Sequence, residues 1–148
     1  EGVVPLIKAA RKTNESMPEY TVKLAEKELE KKGKTLEDTN IVILGLAYRP
    51  HIKETLNSPT LDMVKILKKR GANVSVYDPI FTKEETEKIT GAQSGEYESL
   101  LKKADCIIIA TMYEKFKHVK EKIKRDCIII DGRNRLKDAD KGIGRPQK

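Results

Sequence analysis

Residues 43–64 read ILGLAYRPHIKETLNSPTLDMV, and the prediction of the fold starts from this stretch. It begins inside the apolar run NIVILGLAY, which is typical of a strand buried on both faces of a parallel sheet. It ends inside SPTLDMVKILKKRG, where apolar residues recur at helical spacing. The segment between them is polar and basic and lacks a GxGxxG fingerprint. The stretch therefore predicts a strand, a crossover and a helix without an ordinary dinucleotide-binding turn.

The same alternation of strand-like and helical segments continues along the chain. The further apolar runs are ANVSVYDP, DCIIIAT and DCIIIDG, and the helical segments between them are TKEETEKI, EYESLLKKA and YEKFKHVKEKIKR. This order predicts right-handed βαβ units and hence an α/β fold, a Rossmann-like parallel sheet flanked by helices. A short extra strand is expected near GAQS (91–94), and the polar, glycine-rich tail KDADKGIGRPQK (137–148) is expected to be loose.

Before the first strand, the chain carries helical patterns of its own. Four apolar residues fall on one face of a short helix in residues 2–13: Val3, Leu6, Ile7 and Ala10. Asn14 or Ser16 is the expected cap of a second helix, over about residues 18–32, that ends at Gly33. The apolar face either packs against its own domain or forms an interface with a second copy of the chain.

These patterns divide the chain into two parts. Residues 1–37 are predicted to be a helical segment, and residues 38–148 a Rossmann-like domain with a loose tail. The chain starts abruptly in an amphipathic helix without an initiator methionine, which suggests a piece of a longer protein.

Composition narrows the class of function. The net charge is +7, but the basic residues stand beside glutamates, which is typical of solvated, ion-paired faces rather than a nucleic-acid-binding patch. No signal peptide or membrane-spanning run is found, so we expect a cytoplasmic protein without a nucleic-acid or membrane partner. Cys106 and Cys127 each open an apolar run and are predicted core residues, and two histidines are too few for a metal centre.

Ligands of open parallel sheets bind beyond the carboxyl ends of the strands, so the loops there are candidate sites. In the crossover after the first strand, Ser58 and Pro59 form a good cap and first turn, and a helix N-terminus attracts anions. Arg49, His51 and Lys53 add basic groups nearby. The alternative is an ordinary exposed basic loop.

The loops after the later strands offer three more candidates. Asp78 is either a ribose-binding acid or a turn starter, and the turn is favoured. Thr111 is favoured as a helix cap. In the segment DGRN, glycine allows close backbone approach and Arg133 can grip a phosphate together with Arg49. The alternative is that Asp131 and Arg133 close the strand end by local pairing.

Several motifs, in this order, carry a resemblance to a known family: AARKTNESMPEYTV, GLAYRP, SPTLDMVKILKKRGANVSVYDP, ADCIIIAT and DGRN. Together they resemble the C-terminal domain of the UDP-glucose/GDP-mannose dehydrogenase family and the helix before it. The motifs are specific only in combination. The resemblance implies an enzyme whose N-terminal Rossmann-like domain holds NAD and a catalytic cysteine, and whose C-terminal domain binds the UDP part of a nucleotide sugar.

The resemblance also assigns residues. It implies that Tyr48 and Arg49 contact UDP and that Arg133 lies near the active-site cleft. With the helix N-terminus, the candidate substrate-binding residues are Tyr48, Arg49, Arg133 and Ser58.

One segment departs from the family pattern. The family commonly reads D-D-x-R-E-S-P before the helix, with an arginine that reaches the NAD site. Here Leu56 stands in place of that arginine and Asn57 in place of the glutamate. Lys53 is therefore the candidate for a cofactor contact from this loop.

The activity that the resemblance implies is NAD-dependent oxidation of a sugar C6 alcohol to a carboxylate, in polysaccharide biosynthesis. The family's cysteine motif, G-G-x-C-x-P-K-D, does not occur here, so this chain is expected to lack catalytic residues and to be inactive alone. Within the family, YRP and GIGRP look most like UDP-N-acetylmannosamine dehydrogenases. UDP-glucose 6-dehydrogenase and a non-catalytic nucleotide-binding or dimerisation module are the alternatives, and a homodimer or a higher homo-oligomer is expected.

Overall fold

The computed structural model describes residues 3–145, with only the backbone of Val3. The α-helices are α1 (Val3–Glu30), α2 (Pro59–Lys69), α3 (Lys83–Thr90) and α4 (Tyr97–Lys103). The strands are β1 (Asn40–Leu44), β2 (Asn73–Tyr77), β3 (Cys106–Ile109), β4 (Ile128–Asp131) and β5 (Lys141–Gly142). They pair in parallel in the order β2-β1-β3-β4-β5, which confirms the predicted Rossmann-like sheet flanked by helices.

Strand residues alternate between two cores, because successive side chains point to opposite faces of the sheet. Ile41 and Ile43 pack with residues of α1 and α2, whereas Val42 and Leu44 pack with residues of α4 and the segment after β3. Both sets are almost completely buried. Burial on both faces is the reason that the strands read as continuous apolar runs.

The two cysteines are core residues, as predicted. Cys106 and Cys127 are buried free thiols in opposite cores. Burial raises the pKa of Cys127 to about 12, and burial also raises the pKa of Cys106. Both groups therefore stay protonated at neutral pH and pack as small apolar side chains.

Helix α1 is continuous, so the predicted break near residue 14 is wrong. Pro18 lies inside the helix, and the hydroxyls of Ser16 and Thr21 donate to helix carbonyls, at 2.7 and 2.8 Å, rather than cap a new helix. An internal proline costs roughly 3 kcal/mol. The complete burial of Val22 and Leu29 against the sheet offsets a cost of that size.

The two halves of α1 differ in their surroundings. Side chains of residues 4–16 are exposed, whereas Ala25 and its buried neighbours belong to the core below the sheet. The helix is followed by Gly33 in the left-handed conformation, with φ at 71°, which agrees with the predicted stop. The division into residues 1–37 and 38–148 stays a prediction.

The predicted helix over residues 113–125 is wrong in type. Two 3-10 turns occupy this segment, at Glu114–Phe116 and Val119–Lys122. Its buried residues, Tyr113, Phe116 and Val119, recur every third position. That spacing suits the three residues per turn of a 3-10 helix better than the 3.6 of an α-helix.

The tail is ordered where it is described, so the prediction of a loose tail is wrong for residues 141–145. Strand β5 pairs with β4, and the Ile143 N–H donates to the Asp131 carbonyl at 3.1 Å. Residues 146–148 lie outside the described part. The extra strand expected near GAQS is a single parallel bridge between Ser75 and Gln93. Within residues 3–145, no helix is long and apolar enough to cross a membrane.

Candidate functional site

The crossover after β1 begins at Gly45, which is held by contacts with Thr111 and Thr60. Gly45 has φ at 104°, and a Cβ there would lie 2.5 Å from both the Cβ and the backbone nitrogen of Thr111. Thr60, in the first turn of α2, donates its hydroxyl to the Gly45 carbonyl at 2.7 Å. The Thr111 hydroxyl donates to the Ala47 carbonyl, so its predicted role as a helix cap is wrong. Three elements therefore meet at the end of β1.

Asp78, at the end of β2, is a structural anchor for the same crossover. Its carboxylate accepts hydrogen bonds from the N–H groups of Leu46 and Ala47, at 2.7 and 2.9 Å. It also accepts from the Ile80 N–H and from the Tyr113 hydroxyl, at 3.0 and 3.1 Å. Only 1% of the residue is exposed. The favoured interpretation of Asp78 as a turn residue is confirmed.

Tyr113 completes this anchor as a hydrogen-bond donor. Burial and the adjacent charge of Asp78 raise the pKa of the Tyr113 phenol well above its ordinary value. The phenol therefore remains protonated and can donate to the carboxylate across the physiological pH range.

Beyond the anchor, the crossover folds back on itself. The Tyr48 N–H donates to the Glu54 carbonyl at 2.8 Å, and Arg49 and Ile52 form an antiparallel bridge. The Arg49 guanidinium lies 5.7 Å from the centre of the Tyr48 ring, within the range of a cation–π contact. This part of the loop presents an aromatic ring and a cation side by side.

Lys53 points to a different neighbour. Its ammonium lies 2.6 Å from Glu85 of α3 and 5.3 Å from the centre of the Phe81 ring. Contact with Lys53 and the Thr82 backbone lowers the pKa of Glu85, which keeps the partner ionised. The structure thus pairs the predicted cofactor residue with α3, and its role toward NAD stays a prediction.

Ser58 caps helix α2 rather than facing open space. Its Oγ accepts from the Thr60 N–H at 3.4 Å, and only 3% of the residue is exposed. The cap follows Asn57, whose φ of 61° reverses the chain just before the helix. Ser58 therefore fixes the start of α2, and its role toward a ligand stays a prediction.

Arg133 joins three strand-end loops. Its Nε donates to the Ala110 carbonyl at 2.7 Å, and its Nη2 to the Tyr48 carbonyl at 3.3 Å. Asp131 accepts from the backbone N–H of Arg133 at 2.9 Å, so the predicted local pairing uses the backbone and leaves the guanidinium for the other loops. A Cβ on Gly132 would lie 2.6 Å from the Ile109 carbonyl oxygen, which explains the glycine.

A cleft of about 810 Å³ opens between this edge of the sheet and helix α1. Tyr48 and Arg133 line it, as do Asn57, which precedes α2, and Pro59 and Asp62 from the first turn of α2. We call this space the ligand cleft.

Sequence reasoning missed the wall that α1 contributes to the ligand cleft. The residues of that wall recur at spacings of three and four: Ile7, Arg11, Asn14, Pro18 and Thr21. This spacing marks one face of a helix. This face was not predicted because the sequence indicated two separate helices. In one continuous helix, the five residues lie on the same side.

The ligand cleft offers groups for a phosphorylated, hydroxyl-bearing ligand. Arg11 and Arg133 supply cations from its two walls, and Glu15 and Asp62 supply acceptors. Guanidinium groups suit phosphate oxygens, and carboxylates accept hydrogen bonds from ribose or sugar hydroxyls. Its volume lies within the usual range for small-molecule sites. Among the described residues, no group of three or more His, Cys, Asp or Glu side chains is placed to hold a metal ion.

Comparison with family models gives a match over much of the chain. The model described as "UDP-glucose/GDP-mannose dehydrogenase family, UDP binding domain" matches residues 42–138. This segment runs from β1 to just beyond the loop that carries Arg133.

Individual relatives point the same way. A UDP-N-acetyl-D-mannosamine dehydrogenase from Pyrococcus horikoshii is 36% identical, over 95% of this chain and 34% of the relative. A UDP-glucose 6-dehydrogenase from Bacillus subtilis is 32% identical, over 87% of this chain and 28% of the relative. The chain therefore spans about a third of the length of these curated relatives.

Solved structures share the fold. The UDP-D-ManNAc dehydrogenase from Pyrococcus horikoshii superposes with a TM-score of 0.74 at 32% identity, covering 95% of this chain and 34% of that one. A UDP-glucose dehydrogenase from Pyrobaculum islandicum gives 0.73 at 28% identity, covering 91% and 31%. A D-isomer specific 2-hydroxyacid dehydrogenase from Lactobacillus delbrueckii, at 0.58 and 16% identity over 80% of this chain and 40% of that one, shares the fold alone.

Proposed function

Because the chain belongs to the UDP-glucose/GDP-mannose dehydrogenase family, we propose that it binds the UDP part of a nucleotide sugar in the ligand cleft. The observation that carries the proposal is the position of Arg133. This side chain joins the ends of β3 and β4 to the crossover after β1, and it lines the ligand cleft. A cation held by two carbonyls at the carboxyl edge of the sheet is placed to meet a diphosphate.

The other predicted residues take supporting roles in this proposal. Tyr48 is 40% exposed, and its ring can stack on a planar base or ribose. Arg49, held beside that ring, adds charge for the phosphates. Ser58 caps the N-terminus of α2, and the positive end of the helix dipole favours an anion there.

For the whole protein, we propose an NAD-dependent UDP-sugar 6-dehydrogenase that oxidises the C6 alcohol to a carboxylate. The N-acetylmannosamine derivative is the first candidate sugar and UDP-glucose the second, in the order of the relatives described above. This chain alone is proposed to be inactive, since both of its cysteines are buried in the core. A cytoplasmic location stays a prediction.

The cofactor proposal for Lys53 is separate and is tested separately. NAD contact would require its ammonium to leave Glu85. In the full-length enzyme, Lys53→Ala is expected to weaken NAD binding, measured by fluorescence titration. Unchanged NAD affinity would remove Lys53 from the site.

Calorimetric titration tests the UDP proposal. The wild-type chain is expected to bind UDP but not NAD, and Arg133→Ala to weaken UDP binding about tenfold or more, the loss expected for a charged hydrogen-bond partner of phosphate. Arg135→Ala removes the same charge two residues away and should leave the affinity unchanged. An absence of UDP binding by the wild type, or binding of NAD alone, would contradict the proposal.

A dimerisation module is the second candidate. The first turns of α1 expose Val4, Leu6 and Ile7 by 54, 71 and 56%. Exposed apolar residues this close together favour an interface, and a homodimer is the partner we propose. Sedimentation over a range of concentrations is expected to show a dimer that Leu6→Glu disrupts. A monomer at every concentration would rule this role out.

A further inference from the structure

The tail after β5 fastens the loop that carries Arg133. The guanidinium of Arg145 donates from Nε to the side-chain oxygen of Asn134 and from Nη2 to the Leu136 carbonyl. Its Nη2 also lies 3.9 Å from a carboxylate oxygen of the fully buried Asp131. One side chain thus holds the loop at three points, and it lies beyond residue 138, where the family-model match ends.

The loop itself needs such a hold. Asn134 has φ at 54°, a left-handed conformation that costs a non-glycine residue free energy unless its neighbours enforce it. The N–H groups of Arg135 and Leu136 both donate to Asp131, which shapes the turn from below. Arg145 contacts the same turn at Asn134 and Leu136. A Cβ on Gly142 would lie 2.7 Å from the Arg145 Nε, so the glycine leaves room for this guanidinium.

We propose that Arg145 is a positioning residue of the ligand cleft. It holds the turn that follows Arg133, so that the Arg133 guanidinium stays between the carbonyls of Ala110 and Tyr48 and faces the phosphate-bearing part of the ligand. This inference rests on the proposed function for its ligand but not for its geometry. A lysine at position 145 cannot replace the planar fork, which reaches Asn134 and Leu136 at once.

A double-mutant cycle tests this role with UDP and uridine as probes. Arg145→Ala is expected to weaken UDP binding about tenfold, to leave uridine binding unchanged, and to add nothing in the Arg133→Ala background. Arg145→Lys is expected to resemble Arg145→Ala, whereas Lys137→Ala, which removes a cation from the same segment, should have no effect. Additive losses, or equal losses for UDP and uridine, would show a merely structural role and overturn the inference.

A measurement without ligand separates this inference from the proposed function. In the wild type, the Nε–H of Arg133 is bonded to Ala110, and its hydrogen exchange can be followed by NMR. Arg145→Ala and Arg145→Lys are expected to accelerate that exchange severalfold, and Lys137→Ala to leave it unchanged. If the wild type fails to bind UDP, the proposed function fails while this rate still decides the positioning role. An unchanged rate in both Arg145 variants would reject it.

Discussion

At the scale of the residue, the strand ends are shaped by groups that leave no room for substitution. Gly45 abuts the backbone of Thr111, and Gly132 abuts the Ile109 carbonyl. Asp78 accepts hydrogen bonds from three backbone N–H groups, two in the crossover after β1 and one in the turn after β2. Gly45 and Asp78 thus shape the strand ends without lining the ligand cleft, whereas Gly132 also lines it.

Gly45→Ala is expected to destabilise the protein by more than Gly33→Ala. Both glycines have positive φ, but a Cβ at Gly45 would lie 2.5 Å from Thr111, whereas none of the atoms that the structure describes lies within 4 Å of a Cβ at Gly33. Strain alone costs about 1 kcal/mol at Gly33, and the clash should raise the cost at Gly45 to roughly 3 kcal/mol. Urea denaturation measures both. Equal losses would show that the backbone near Gly45 relaxes freely.

At the level of secondary structure, apolar runs and helix caps in the sequence were the features that predicted strands and helices correctly. The four long strands and helix α2 follow from the sequence, because full burial leaves continuous apolar letters and because Ser58-Pro59 marks a helix start. Strand β5 escaped prediction since it pairs through two residues at the sheet edge. The break expected in α1 failed because tertiary burial of its second half outweighs one proline.

The residues of the candidate site were also predicted only in part. Arg49 and Arg133, from different loops, were expected to converge on one anion. Arg133 lines the ligand cleft together with Tyr48, whereas Arg49 is not among the residues that line it. Arg11 and Arg145 were not expected, since one depends on the direction of a continuous α1 and the other on a strand that the sequence hides. Local sequence patterns predict which loop residues lie at the site, but they do not predict which helix or strand packs against those loops.

The amino ends of the strands are held by an ion cluster with a defined pH dependence. Asp105, at the start of β3, accepts from the Asn40 N–H and from Lys34 and Lys124, at 3.0, 2.9 and 3.1 Å. Burial raises the pKa of this carboxyl, but the hydrogen bonds and cations outweigh burial and bring the pKa to about 2. Because the folded pKa lies below the ordinary value, the stabilisation is present above pH 4 and is lost as the pH falls toward about 2.

Asp105→Asn is therefore expected to flatten the acid limb of the stability curve. The wild type should lose on the order of 1–2 kcal/mol of unfolding free energy through this group between about pH 5 and pH 2, and the variant should not. Urea denaturation at several pH values measures the difference. The exposed Asp138→Asn is the control. Parallel curves for the wild type and Asp105→Asn would contradict the prediction.

At the scale of the whole molecule, the sheet separates two tasks. Its amino edge is closed by the Asp105 cluster, and its carboxyl edge, with α1 beside it, forms the ligand cleft. Helix α1 has two roles of its own: its second half packs in the core, and its first half forms a wall of the ligand cleft. The first half is therefore expected to matter for binding as well as for the proposed contacts with a second copy.

Arg11→Glu tests whether α1 belongs to the site. Arg11 lines the ligand cleft opposite Arg133, whereas its neighbour Lys12 does not line it and lies about a quarter turn further round the helix. If both walls contact the diphosphate, Arg11→Glu should weaken UDP binding about tenfold or more. Lys12→Glu makes the same change in net charge. It should weaken UDP binding less than about twofold at 0.15 M salt, because exposed charges are screened there. Calorimetric titration of both variants gives the comparison. Equal effects would mean that only the overall field of this basic chain attracts the ligand, and the wall formed by α1 would then be no part of the site.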